Sequence, residues 1–135
     1  MKEGDLLRSV EKQITQDTIT EYAAASGDMN PIHVDQEFAA RSQFGGTIAH
    51  GMMVAASVSE MMSAEFGMAW IETGRLKLRF RAPVYPGGAI TAYGQVKRVR
   101  AKDGGSEVVC SVGVRSESEE DAVTGEATVR TGVQS

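Results

Sequence analysis

Two stretches of this sequence pair side chains that can move a proton with backbone that can hold them still. The first is SGDMNPIH, Ser26 to His33, where the carboxylate of Asp28 precedes the imidazole of His33 by five residues. Pro31 fixes one backbone angle and biases Asn30 toward an extended conformation, so the chain between the two groups is a stiff turn after a helix end. Such a turn can hold an acid and an imidazole in a defined relation, the equipment of general acid–base chemistry. A plainer reading also fits: Asp28 and Asn30 make Asx-type turn bonds, and His33 is a satisfied surface or core side chain.

The second stretch is His50-Gly51, which opens the apolar run HGMMVAASVSEMMSAEFG. A helix beginning there presents free backbone N–H groups and the positive end of its dipole. Gly51 has no side chain, so a substrate oxygen could approach its amide, which is how an oxyanion site is made. The alternative is that Gly51 eases entry to the helix while His50 caps or packs.

The elements that must position these groups follow from periodicity. In TQDTITEYAAASG, Thr15 is an N-cap, Asp17 lies in the first turn, Ile19, Tyr22 and Ala23 share a face, and Gly27 is a stop, which predicts a short helix. Asp35 caps a second short helix through Phe38, Ala39 and Ala40, broken by Gly45-Gly46. The run from His50 to Gly67 is apolar on nearly every side, which predicts a buried helix surrounded by a sheet. From Arg75 to Arg81 the period becomes two, with Leu76, Leu78 and Phe80 on one face and Arg75, Lys77, Arg79 and Arg81 on the other. The turn APVYPGG follows, then strands over Ala89–Arg100, Glu107–Arg115 and Ala122–Arg130, joined by hairpin turns. With a strand near the N-terminus, the fold class is α+β: an antiparallel sheet with a central helix laid on one face.

Composition narrows the functions. The 135 residues suit one domain, here taken as 1–135, and 41% hydrophobic with 24% charged residues is ordinary globular composition. A net charge of −4 lacks the footprint of nucleic-acid binding. One cysteine, Cys110, and two histidines build neither an internal disulfide nor a Cys/His-rich zinc site, so no metal is expected. No segment has the ~18 apolar residues of a membrane span, and the N-terminus carries no signal-peptide core, so the expected location is the cytoplasm. Neither GxGxxG nor GxxxxGK[ST] occurs, which argues against Rossmann and P-loop sites.

The run YAAASGDMNPIHVD, the later FGGTIAHGM, the turn FRAPVYPGG and the strand TGEATV together resemble the MaoC-like, (R)-specific enoyl-CoA hydratase family, from about Glu11 to Val129. The resemblance implies a hot-dog fold, in which an antiparallel sheet wraps a central helix. It also implies roles: Asp28 and His33 hold the reacting water, and the Gly51 amide binds the thioester oxygen. By the same resemblance Ser59 places a hydroxyl near the catalytic Asp, Asn30 supports the loop, and Met62 and Val129 line the acyl chain. His50 belongs to the motif but receives no chemical step.

The residue types suit that chemistry. Adding water across a 2-enoyl thioester needs a base to activate water at C3, a proton donor for C2, and stabilisation of enolate-like charge on the thioester oxygen. No cofactor is expected beyond the coenzyme A of the substrate, and the implied reaction is reversible (R)-specific hydration of a trans-2-enoyl-CoA. A 3-hydroxyacyl-carrier-protein dehydratase or its subunit, and a non-catalytic acyl-CoA-binding module, are the alternatives. Part of the basic strand face could meet phosphates of coenzyme A or an acyl-carrier protein, although a charged strand face is ordinarily just solvated. Hot-dog relatives pair two subunits through one continuous sheet, so the expected assembly is a homodimer or higher homo-oligomer.

Overall fold

The computed structural model describes residues 1–132, so the last three residues of the expected 1–135 domain lie outside the described part. Five strands form one antiparallel sheet in the order β1-β3-β4-β5-β2: β1 Val10–Ile14, β2 Arg75–Phe80, β3 Gly88–Lys102, β4 Gly105–Ser116 and β5 Asp121–Thr131. The three long strands run one or two residues beyond the ranges expected from alternation, because hairpin pairing such as Lys102↔Gly105 continues into the polar turn residues. One bulge lies between Val96 and Arg98, another between Val114 and Arg115.

Helix α1 spans Gln16–Ser26, and its ends follow the sequence. Thr15 and Thr18 form a reciprocal capping box, and Gly27 adopts φ 81°, a left-handed conformation that a Cβ would strain. The stiff turn after it is itself one helical turn, α2 Pro31–Val34, with Pro31 in its first turn and the Asn30 side chain accepting from the Ile32 N–H. Asp35 caps α3 Gln36–Ala40 as expected, through the Phe38 N–H, while the Phe38 ring stays exposed.

Helix α4, Gly51–Phe66, carries the core. Val54, Val58, Met61 and Met62 are buried with Ile90, Ala92, Val96, Cys110, Val114 and Val129 of the sheet. Gly94 allows this approach, since a Cβ there would lie 2.9 Å from Leu7 Cδ1 and 3.0 Å from Met61 Cε. The helix is not surrounded, however. Met52 is 66% exposed, and Ala56 and Glu60 also face outward, because the sheet covers only one side of α4 in the single chain.

Two further departures matter. A fifth helical element, absent from the sequence reading, occupies α5 Met68–Thr73 between Gly67 and Gly74 and buries Trp70. The apolar row of β2 is less covered than a half-buried strand requires: Leu76 and Phe80 are exposed, because β2 is an edge strand paired only with β5. No described helix is long and apolar enough to cross a membrane.

Candidate active site

The turn between α1 and α2 places Asp28 on an exposed corner. Its Oδ1 accepts from the Asn30 N–H at 3.3 Å and its own N–H donates to Ser26 Oγ at 3.2 Å, so the Asx-turn reading describes real bonds. Those bonds leave the second carboxylate oxygen without a protein partner among the described residues. His33, on α2, is 9% exposed. Its Nδ1 lies 2.7 Å from the Ile48 carbonyl, a contact that requires the proton on Nδ1 and leaves Nε2 free.

Asp28 and His33 come together. A carboxylate oxygen of Asp28 and a ring nitrogen each of His33 and His50 lie within 4.8 Å of one another, and no direct hydrogen bond joins Asp28 to His33 among the described residues. That spacing lets one water reach both groups at ordinary hydrogen-bond lengths. It does not suit a metal ion. The His33 and His50 rings are stacked, 3.7 Å between centroids and 20° between planes, so their lone pairs lie in nearly parallel planes, and His33 Nδ1 and His50 Nε2 are already engaged with carbonyls.

Gly51 is the first residue of α4 and stands in the same hollow as His33, a cavity of about 330 Å³. Its N–H is one of the free donors of the helix start, and no backbone carbonyl among the described residues takes it. The rest of the wall is mainly apolar, with Phe44, Ile48, Val54, Phe80 and Val84 among its residues. Arg81, the last cation of the basic row, also reaches this wall, with its Nε donating to Thr124 Oγ1 at 2.8 Å. An acyl group and a polar head could therefore share one opening.

Three residues stand elsewhere. Ser59 is not bonded to Asp28; its Oγ accepts the Trp70 indole N–H at 2.9 Å, and it borders a different hollow together with Trp70 and Ile71. The expectation that its hydroxyl stands near the acid finds no hydrogen bond to Asp28 among the described residues; the bond its oxygen makes is to Trp70. Met62 and Val129 are both fully buried in the core and are not among the residues lining the hollow that holds His33 and Gly51.

Two other residues bear on the site: Gln16, which the sequence did not single out, and His50, to which it gave no chemical step. Gln16 Nε2 donates to the His33 carbonyl at 2.9 Å, and Gln16 Oε1 accepts from the buried Thr47 hydroxyl at 2.6 Å, which anchors α2 against α1. His50, the N-cap of α4, donates from Nε2 to the Asp28 carbonyl at 2.9 Å and stacks on His33. Only the adjacency of His50 to Gly51 hinted at them, since these contacts join segments distant in sequence.

Comparison with known proteins agrees with this geometry. Residues 2–118 match the family model described as MaoC like domain. The chain is 30% identical over 131 residues to a 3-hydroxybutyryl-CoA dehydratase of Methylorubrum extorquens, covering 95% of this chain and 80% of that protein. It is 35% identical over 101 residues to a mitochondrial 3-hydroxyacyl-(acyl-carrier-protein) dehydratase of Arabidopsis thaliana, covering 74% of this chain but 58% of that protein. Its fold superposes on the (R)-hydratase of A. caviae involved in PHA biosynthesis with a TM-score of 0.83, 27% identity and 96% of each chain covered. On these likenesses, and on the helix-on-sheet architecture already described, the chain belongs to the MaoC-like domain family and is a hot-dog enzyme of the hydratase/dehydratase class.

Proposed function

We propose that the protein catalyses the reversible, (R)-specific hydration of a trans-2-enoyl-CoA to a 3-hydroxyacyl-CoA. The observation that carries this reading is the place of His33: its free imidazole nitrogen lies within reach of one water shared with an Asp28 carboxylate oxygen, and its ring lines the same cavity as an uncommitted helix-start amide, that of Gly51. In the hydration direction the water oxygen bonds to C3, and its proton passes to the Asp28/His33 pair. The electron pair of the C2–C3 double bond shifts toward the thioester, whose oxygen takes the Gly51 N–H as its donor. The pair then returns a proton to C2, so atoms and charge balance without a cofactor. Dehydration is the same path reversed.

The acyl tail would lie against Phe44, Val54 and Val84, and the coenzyme A phosphates beyond Arg81. A carrier-protein thioester is the second reading, favoured by the resemblance to the plant dehydratase and by the exposed cations Arg75, Lys77 and Arg79 beside Arg81 on β2. A homodimer joined through the open edge of β2 would cover Leu76 and Phe80, the apolar side chains that the single chain leaves in water.

The test follows loss of enoyl-thioester absorbance with crotonyl-CoA and longer enoyl-CoAs, for the native chain, Asp28→Asn and His33→Ala, beside the matching carrier-protein thioester. Each substitution should lower kcat by ~10²–10⁴, the usual contribution of a positioned acid or base. Unchanged turnover in both variants would remove the pair from the mechanism. Chiral analysis of the product decides the (R) assignment, and light scattering the assembly.

A further inference from the structure

Residues 27–30, which carry Asp28, make almost all their hydrogen bonds locally: to Ala23 and Ser26 behind and to Ile32 and His33 ahead. Among the described residues, one hydrogen bond ties this exposed corner to a distant part of the chain. It runs from His50 Nε2 to the Asp28 carbonyl, 2.9 Å and 22 residues away. The same imidazole lies flat against the His33 ring at 3.7 Å, and the Tyr22 ring tilts over it at 4.8 Å.

We infer that His50 is a positioning residue: its Nε2–H sets the place of Asp28 and its ring face sets the plane of His33, so that both meet one water. The inference rests on the hydratase reading given above. Packing alone does not account for a nitrogen-bearing ring here. His50 is 3% exposed, and its Nδ1 is buried with no hydrogen-bond partner. An apolar ring would fill the same space without leaving a buried nitrogen unsatisfied. The feature an apolar ring could not supply is the Nε2–H to the Asp28 carbonyl.

His50 touches the catalytic residues and stands outside the walls of the hollow that would hold substrate. It therefore acts through Asp28 and His33, and its loss should affect turnover more than binding. Since a misplacement of about 1 Å costs on the order of 10²-fold, tethering the acid from outside its own turn has a measurable consequence.

The experiment uses the full chain with crotonyl-CoA and compares His50→Phe, which keeps the ring and loses the donor, with His50→Gln, which keeps a donor and loses the ring. Thermal unfolding of each variant checks that it folds. His50→Phe should lower kcat about 10²-fold with KM nearly unchanged, and His50→Gln should recover part of that loss. Native kcat in His50→Phe, or a loss confined to KM in either variant, would overturn the assignment.

A readout independent of turnover is the ¹⁵N spectrum of the imidazoles. The native chain should show the proton on Nε2 of His50 and on Nδ1 of His33, with the His33 signals shifted or broadened in His50→Gln. His33 signals identical in native and variant chains would refute the positioning role even if the protein turned over no enoyl thioester. Failure of the hydratase reading alone would instead appear as an inactive native chain with the expected tautomers and a His33 response to His50→Gln.

Discussion

Gly51→Ala tests the oxyanion site with little disturbance to the fold. A Cβ on Gly51 would stand 3.0 Å from Phe80 Cε1 and 3.3 Å from Cδ1 and Cζ. Carbon atoms settle at about 3.5–4.0 Å, so the ring must retreat by roughly 0.5–1 Å. Phe80 is 58% exposed at the sheet edge and can swing, so relief is cheap. Removing glycine from a helix gains up to ~1 kcal/mol, which offsets much of the remaining strain. The net change in stability should stay under about 1 kcal/mol, a shift of no more than roughly 4 °C in the unfolding midpoint. Activity should respond differently, because the new methyl flanks the amide and the ring moves within the wall of the hollow. The N–H itself is kept, so any loss comes from blocked approach, and complete blocking would cost as much as a lost oxyanion donor, ~10²–10³ in kcat or about 2.7–4 kcal/mol. The assay is crotonyl-CoA hydration beside a thermal melt of the same preparation. A stable variant with kcat within about threefold of native, a barrier change under ~0.7 kcal/mol, would refute the idea that the reacting oxygen reaches the Gly51 amide across the space a methyl on Gly51 would fill.

Three further outcomes follow from contacts outside the hollow. Ser59→Ala leaves the indole N–H of Trp70 without its acceptor and should destabilise the fold by ~1–3 kcal/mol, read by denaturant titration of Trp70 fluorescence, since Trp70 is the only tryptophan. Hydrogen bonding from Lys102, joined by Arg100, holds the Glu107 carboxyl below its ordinary value of 4.5. A depressed folded value means stability that is present above the unfolded value and is lost as pH falls through the folded one, so unfolding curves between pH 6 and the acid limit should fall less steeply in Glu107→Gln. Burial, with the Glu65 charge adding, pushes the Cys110 thiol up to about 11, so iodoacetamide near neutral pH should modify it only after unfolding; rapid labelling of the native chain would contradict its burial.

What the sequence made legible was local. The caps of α1 are encoded within a few residues of each other, at Thr15, Thr18 and Gly27, and the alternation of Val108, Cys110, Val112 and Val114 follows the sheet's two-residue period. Helix α5 escaped because MAWIET is short and lacks a side-chain cap, its limits set by Gly67 and Gly74. Leu76 and Phe80 look like core by alternation, yet strand order alone decides that β2 sits at an edge. The same limit applies inside the site. The spacing of Asp28, His33 and Gly51 could be read directly, but the partner of Ser59 depends on where α5 folds back, and the place of Met62 depends on which side of α4 meets the sheet.

The three groups proposed for the reaction come from segments of unequal rigidity. Gly51 belongs to a sixteen-residue helix packed on the sheet, so its amide is positioned by the whole core. His33 is held at its carbonyl by Gln16 and at Nδ1 by Ile48, two anchors on a short helical turn. Asp28 stands on the exposed corner, with one distant tether. If the three act together, precision must be limited by the least constrained member, and the acid depends most on support from outside its own turn. His50 precedes Gly51 and leads into α4, so the support reaching Asp28 comes from the same rigid element that aims the amide. On the proposed mechanism, the acid–base pair and the amide of Gly51 thereby share one mechanical reference, and a shift of the α4 N-terminus would move both relative to the bound thioester.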